Sequence, residues 1–228
     1  MPDKKDIRLL LADDHKYLLD GVRLSLDISG FDIVAHTMDI HQVVPLYQEH
    51  KPDVLLLDIM FNQDKTGLDV LTDIQQIDSD ARVVIFSQYD QDEMIQKAYS
   101  SGAMAFLTKS TRIDTLVQAI ESASKGEVYF TNEIAQRLAA LTTRSNQNAI
   151  RSPKKLLTPR ELEIFCLLAK GLTELETAKE LGFHQRTITA NKATIKEKLG
   201  ISRPAEFTIA ALKDELISIN SPLGTAKD

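Results

Sequence analysis

The sequence predicts an α/β doubly wound sheet of five parallel strands, followed by an all-α domain of four helices. Three observations predict it. Short, wholly apolar runs alternate with helix-compatible stretches across about the first 125 residues. A polar stretch, 142–153, then carries almost no core material and reads as an interdomain linker. Beyond it come helix-length segments punctuated by glycines. A chain of 228 residues suits two ordinary domains better than one.

Residues 7–12 form the first strand, ending at Asp13 and Asp14, and Leu18, Val22, Leu24, Leu26 and Ile28 follow at helix-compatible positions. Residues 31–35 read as the second strand, and 40–50 as a helix interrupted or shifted by Pro45. Residues 54–57 and 83–86 are continuous apolar strands, as parallel strands covered on both faces require. A fifth, shorter strand is expected at 103–107. Helices near 67–77, 92–101 and 112–124 fill the gaps and give right-handed βαβ units. Helix continues at 133–141 before the linker, and four more helices are expected at about 159–170, 174–181, 185–199 and 203–217. Thr158 stands as a cap ahead of Pro159, while Gly171, Gly182 and Gly200 mark C-terminal stops.

Hydrophobic residues make up 43% of the chain and charged residues 26%, so each half can bury a core. No segment joins a basic start to a long apolar run, and the longest apolar runs are far too short to span a bilayer. A cytoplasmic protein with no membrane partner is expected. The one cysteine, Cys166, excludes an internal disulfide and a cysteine-rich metal site, and its apolar neighbours make it a small core residue. The net charge of −6 hides an asymmetry. Residues 1–150 carry 14 Lys and Arg against 23 Asp and Glu, a balance of −9; residues 151–228 carry 13 against 10, a balance of +3. That division permits nucleic-acid binding by the second half.

In an open α/β sheet the site lies beyond the carboxyl ends of the strands. Asp13 and Asp14 follow the first strand, Asp58 the third, Ser87 the fourth and Lys109 the fifth. Converging carboxylates repel one another unless a cation fills the space, and oxygen ligands favour Mg²⁺ or Mn²⁺. A hard cation, a hydroxyl and an ammonium around one carboxylate make a site for a phosphoryl group. The cation and Lys109 would neutralise its equatorial oxygens in the transition state. One Asp at a strand end is ordinarily just solvated; five such residues in this order are not.

Asp13–Asp14, Leu55-Leu56-Leu57-Asp58, Phe86–Ser87 and Thr108–Lys109 together resemble the receiver domain of bacterial two-component response regulators, a flavodoxin-like fold, over about residues 5–125. The resemblance implies that Asp58 is the phosphoacceptor, served by a sensor histidine kinase. It implies that Asp14, Asp58 and the Met60 backbone carbonyl bind Mg²⁺ directly, with Asp13 acting mostly through water. Ser87 and Lys109 would hold the phosphoryl oxygens, and Ser87 and Phe106 would form the switch. The loop after Asp58 departs from the family. It reads Ile-Met-Phe-Asn-Gln-Asp-Lys-Thr before Gly67, lacking the usual Pro and placing the Gly one position late, which implies a loop one residue longer. Met60 and Tyr89, two residues beyond Asp58 and Ser87, are expected to shield an acyl phosphate from water.

Residues 156–217 contain Leu157-Thr158-Pro159-Arg160-Glu161-Leu162-Glu163-Ile164, Ala169-Lys170-Gly171 and Ile195-Lys196-Glu197-Lys198-Leu199. They resemble the four-helix helix-turn-helix of the LuxR/NarL class, whose third helix enters the major groove. Here that helix is about 185–199. At about 100° per residue, Ile188, Ile195 and Leu199 fall in one stripe that must face the core. Arg186, Thr189, Ala190, Ala193, Thr194 and Glu197 lie opposite, with Lys192 and Lys196 flanking the core stripe. Arg186, Thr187, Lys192 and Lys196 are the candidates for backbone contact. Thr189, Ala190 and Ala193 are candidates for methyl contacts with thymine. The family commonly has Asn-Lys at the positions of Glu174–Leu175, and Lys and His at those of Thr189 and Asn191. The groove face is therefore less basic than usual, and each phosphate left without a basic partner lowers the salt slope by roughly 0.9. The implied partner is promoter DNA, and the last helix, about 204–219, is implied to pair subunits into a homodimer on activation.

Expected domain limits are 5–126 for the receiver, 127–155 for a helical extension and linker, and 156–220 for the DNA-binding domain. Three functions fit. One is a non-enzymatic transcription regulator, phosphorylated on Asp58 and acting through dimerisation and domain release. Another is the same regulator with a phosphorylation-independent receiver. The third is an Mg²⁺-dependent phosphohydrolase. Such an enzyme usually has a second acid two residues after its nucleophile, where this chain has Met60, and has no use for the C-terminal half.

Overall fold

The computed structural model describes residues 6–144, 151–201 and 204–217. The chain divides into two compact units, Met1–Gly126 and Glu127–Asp228. In the first, β1 (Arg8–Ala12), β2 (Asp32–Thr37), β3 (Val54–Leu57), β4 (Val83–Ser87) and β5 (Ala105–Thr108) alternate with α1 (Lys16–Ile28), α2 (Ile40–His50), α3 (Gly67–Ile77), α4 (Asp92–Ser100) and α5 (Ile113–Ser124). All neighbouring strands are parallel, in the order β2-β1-β3-β4-β5. Every residue of β3 and β4 is buried, which is why their sequences run apolar without alternation. Right-handed crossovers put α1 on one face and α2, α3 and α4 on the other. Strand order reverses between β1 and β3, so a crevice opens at the carboxyl ends of those two strands.

The second strand runs Asp32–Thr37 rather than 31–35, and two further details of the first unit differ from expectation. The fifth strand begins at Ala105, two residues late, although the Met104 N–H already bonds the Val83 carbonyl at 2.7 Å. And α2 runs unbroken through Pro45. A proline there removes one helical hydrogen bond, at a cost of about 3 kcal/mol. Opposing this, Asp39 caps the helix by accepting from the His41 N–H at 3.0 Å, and Ile40, Val43 and Tyr47 bury one face.

The second unit holds α6 (Asn132–Arg144), α7 (Pro153–Leu156), α8 (Pro159–Ala169), α9 (Glu174–Leu181), α10 (Gln185–Leu199) and α11 (Pro204–Lys213). Helix α6 packs against α11 and reaches into the stretch expected to be linker, and α7 begins at that stretch's last residue, Pro153. Residues 145–150 lie outside the described residues. Helix α11 stops short of its expected end. Glu215 takes a left-handed φ of 52°, and the Leu216 N–H bonds the Ala211 carbonyl at 2.8 Å, which closes the helix. Ile164 and Phe165 of α8, Ile188 and Ile195 of α10 and Phe207 of α11 meet in one core, with the two phenylalanine rings 5.6 Å apart. Cys166 packs against that core as expected. Among the described residues no helix is long and apolar enough to cross a membrane.

One ion pair ties this helical core together. Glu161 is buried at the start of α8, where it completes a capping box with Thr158, accepting from its N–H at 2.8 Å and its hydroxyl at 2.9 Å. The Lys198 ammonium of α10 reaches both of its oxygens, at 2.6 and 2.8 Å. Those bonds, Lys198 first, hold the Glu161 carboxyl below its ordinary value against the opposing effect of burial. A depressed carboxyl contributes stability at pH above its unfolded value of about 4.3, and loses it as pH falls through the folded value. Glu161→Gln should therefore destabilise the second unit by about 1–3 kcal/mol at neutral pH, and that difference should shrink on acidification. Denaturant titrations at pH 7 and pH 3 measure both; equal midpoints at pH 7 count against the pair.

A second constraint lies where β3 feeds α3. The Gly67 N–H bonds the Ile59 carbonyl at 2.7 Å, and a Cβ at Gly67 would lie 1.9 Å from the Asp58 carbonyl oxygen. That oxygen is backbone and cannot swing aside. Gly67→Ala should cost the first unit about 1–3 kcal/mol, read from the denaturation midpoint of the same protein.

Candidate functional site

The sheet itself assembles the acidic residues. Ala12 of β1 pairs with Leu57 of β3, and the Asp58 N–H extends that ladder onto the Ala12 carbonyl at 2.9 Å. Asp13, next along β1, is held by its own N–H to the Thr37 carbonyl of β2 at 3.1 Å. The Lys109 N–H bonds the Ser87 carbonyl at 2.9 Å, which fixes the end of β5 against the end of β4. Four strand ends thus converge on one place.

Asp58 is 2% exposed, and each of its oxygens has partners. Oδ1 accepts from the Ile59 N–H at 2.7 Å and the Met60 N–H at 3.3 Å, while Oδ2 accepts from the Lys109 ammonium at 2.7 Å. The same ammonium lies 2.7 Å from Asp13 Oδ2. Burial pushes the Asp58 carboxyl up, helped by the Asp13 charge and opposed by the hydrogen bond and charge of Lys109. Asp13 Oδ1 accepts from the His15 N–H at 2.9 Å. Asp14 is half satisfied. Its Oδ2 accepts from the Asn62 backbone and side-chain N–H groups at 2.9 and 2.8 Å. Its Oδ1 is buried and accepts no hydrogen bond: His15 Nδ1 lies 2.8 Å away but off the hydrogen-bonding direction.

Ligand atoms of Asp13, Asp14, His15 and Asp58 all fall within 4.8 Å of one another. A buried carboxylate oxygen that accepts no hydrogen bond, beside two further carboxylates, fits a hard divalent cation, which would relieve both the repulsion and the missing bond. Ser87 is fully buried, with its Oγ 3.3 Å from the Tyr89 N–H. Phe106 is fully buried in the core, its N–H bonded to the Tyr99 hydroxyl at 3.0 Å. Met60 and Tyr89 are partly exposed, at 37% and 45%.

The loop after Asp58 contributes residues that sequence reasoning missed. Asn62 grips Asp14. Gln63 accepts from the Ile40 N–H at 3.0 Å, and Asp64 lies 2.9 Å from His41 Nε2, so the loop leans on the start of α2. Thr66 and Asp69 then form a capping box that starts α3. The Thr-x-x-Asp spacing was a readable signal; the long-range contacts of Asn62 and Gln63 were not.

In the second unit α9 and α10 are joined by a turn in which Gly182 takes a left-handed φ of 68°. Ile188, Ile195 and Leu199 are buried, while Arg186, Thr187, Thr189, Ala190, Ala193, Thr194 and Glu197 are exposed. Lys192 and Lys196 are half-buried between those faces, as the helical wheel expects. One partner was not expected. Glu174, the first residue of α9, accepts from the Thr189 hydroxyl and, at 2.9 Å, from the Lys192 ammonium.

The sequence model of the response regulator receiver domain matches residues 9–121, and that of the luxR family of bacterial regulatory proteins matches residues 155–211. The transcriptional regulatory protein LiaR of Bacillus subtilis (strain 168) is 29% identical over 213 residues, 93% of this chain and 100% of that protein. The oxygen regulatory protein NreC of Staphylococcus aureus (strain JH9) is 30% identical over 215 residues, 92% of this chain and 99% of that one. A two-component response regulator of the LuxR family from Aurantimonas sp. SI85-9A1 superposes with a TM-score of 0.56 at 32% identity, covering 60% of this chain and 98% of its own. RcsB of Salmonella typhimurium, at 21% identity and a TM-score of 0.54 over 89% of this chain and 98% of its own, shares the fold. The chain belongs to the two-component response regulators of the NarL/LuxR class, which are DNA-binding regulators of transcription rather than enzymes.

Proposed function

We propose that Asp58 accepts a phosphoryl group from a sensor histidine kinase, and that this modification drives dimerisation and promoter binding by a cytoplasmic regulator. The observation that carries the reading is the Lys109 ammonium bridging Asp58 and Asp13 beside the unpartnered oxygen of Asp14. A carboxylate oxygen of Asp58 attacks the phosphorus. The P–N bond to the donor imidazole breaks, and its electron pair leaves with the nitrogen, which takes up a proton. Lys109 and Ser87 hold the phosphoryl oxygens, and Lys109 must trade part of its grip on Asp58 to do so. Asp14, Asp58 and the Met60 carbonyl are the residues that would hold Mg²⁺ or Mn²⁺, with Asp13 acting through water. When bound, the cation neutralises charge on the phosphoryl oxygens.

The switch residues in this reading are Ser87 and Phe106, whose contacts differ between the two states and so shift the equilibrium between them. The functional domains are 5–126 and 156–220, joined by 127–155, and phosphorylation releases the second from the first. Arg186, Thr187, Lys192 and Lys196 take the DNA backbone, while Thr189, Ala190 and Ala193 meet base edges.

Incubation with phosphoramidate and Mg²⁺ should add one phosphoryl mass to the wild-type chain and none to Asp58→Ala, read by intact mass. DNA affinity and oligomeric state should rise with that modification. An unmodified wild-type chain that still binds promoter DNA would instead establish a phosphorylation-independent receiver. Met60→Ser and Tyr89→Ser should each shorten the lifetime of the phosphorylated protein by opening the approach of water; unchanged decay removes the shielding role.

A further inference from the structure

The unexpected partner of the recognition helix has a consequence for DNA binding. Glu174 sits at the first position of α9, and its carboxylate reaches across to α10 to take the Thr189 hydroxyl and the Lys192 ammonium. Both groups belong to the face that the proposed function assigns to DNA, and the inference rests on that reading. Duplex phosphate would ask for the same ammonium and would be drawn to the same helix N-terminus, while base edges would ask for the same hydroxyl. The pair is only moderately exposed, 33% for the Lys192 side chain and 24% for that of Glu174, so solvent screens it less than a rim contact. Burial raises the Glu174 carboxyl, but the bonds from Thr189 and Lys192 and the charges of Lys192 and Lys196 outweigh it and hold the group ionised.

We propose that Glu174 is an internal competitor for the DNA backbone, its carboxylate standing where a phosphate would otherwise collect Lys192, while it also holds the Thr189 hydroxyl back from the bases. On binding a duplex, Lys192 exchanges one anion for another rather than releasing a condensed counterion, and the displaced carboxylate stays close to the phosphates. Affinity for any duplex is lowered, whatever its sequence, and the salt dependence of binding is shallower than the lysine count predicts. Base contacts and pairing of subunits then account for a larger share of the preference for a true site.

The test uses the full-length chain with Mg²⁺ and phosphoramidate, and a mixed-sequence duplex followed by fluorescence anisotropy over a KCl series. Glu174→Gln keeps the length and the acceptor for Thr189 but removes the charge. It should raise affinity at low salt roughly five- to tenfold and steepen the slope of log affinity against log salt by about 0.9, one additional phosphate neutralised. Adding Lys192→Gln to Glu174→Gln should abolish the gain, because the ammonium that the first change releases is then gone. Glu180→Gln, which removes a charge from the exposed far end of the same helix, controls for net charge and should leave the slope unchanged. A merely structural Glu174 would shift the melting temperature without moving the salt slope. Wild-type affinity and slope in Glu174→Gln, or an equal effect from Glu180→Gln, overturn the proposal. Absence of duplex binding by every variant, wild type included, overturns the assignment of α10 to DNA itself.

Discussion

Three carboxylates converge at the mouth of the first unit because β1 and β3 are neighbours in the sheet, and one ammonium, that of Lys109, spans two of them. With ligand atoms within 4.8 Å, each like-charged pair repels by roughly 3–4 kcal/mol at an effective dielectric of about 20. The fold accepts this because the sheet leaves it no alternative. Asp13 and Asp58 are the next residues along ladders whose hydrogen bonds they themselves extend, so neither can withdraw without unpicking a strand end. Lys109 arrives the same way, by a backbone bond to Ser87. The reactive group and its neutralising partners are thus placed by main chain, and side-chain rotation has little left to decide.

Much of this was legible in the sequence, for a physical reason. Parallel strands buried on both faces must be short and apolar, so the polar residues that close each run mark the strand's end to within a residue. Reading Asp13, Asp58, Ser87 and Lys109 as strand-end residues therefore also located them in space. The wheel of α10 was legible for a similar reason, since a helix of known period has one face to bury and Ile188, Ile195 and Leu199 define it. Local rules failed where tertiary contacts overrule them. Pro45 should end a helix, yet α2 continues because Ile40, Val43 and Tyr47 gain more by packing than one hydrogen bond loses. The long loop after Asp58 looked like a departure from its family with unknown shape. In the fold the loop leans on α2 through Gln63 and Asp64, and Gly67 packs against the Asp58 carbonyl. Nothing in the spacing of Asn62 foretold that it would satisfy Asp14, and Glu174 lies too far from Lys192 in the chain for a helical rule to pair them.

That loop also links the acidic pocket to the outer layer of helices. Asn62 holds one oxygen of Asp14 with two N–H groups, and the next residue, Gln63, caps α2. Asp14 and the N-terminus of α2 are thus held by adjacent residues of one loop.

The second unit handles charge in a way that qualifies the simple count of its basic residues. Two lysines of α10 are engaged by acids of the same unit, Lys198 by Glu161 and Lys192 by Glu174. These pairs are not equivalent. Glu161 is buried, completes the cap of α8 and ties that helix to α10, so its loss would loosen the core. Glu174 caps nothing, since Thr173 closes its capping box with Glu176 instead. Its carboxylate lies at the accessible edge, and its bonds run to residues on the helix that the family places in the groove. The 13 Lys and Arg of residues 151–228 consequently overstate the cationic groups that α10 has ready for an approaching duplex. Because one such pair stabilises the fold while the other occupies the binding face, removing either acid raises the net charge equally, yet only one of the two changes leaves the scaffold intact with an ammonium newly available to DNA.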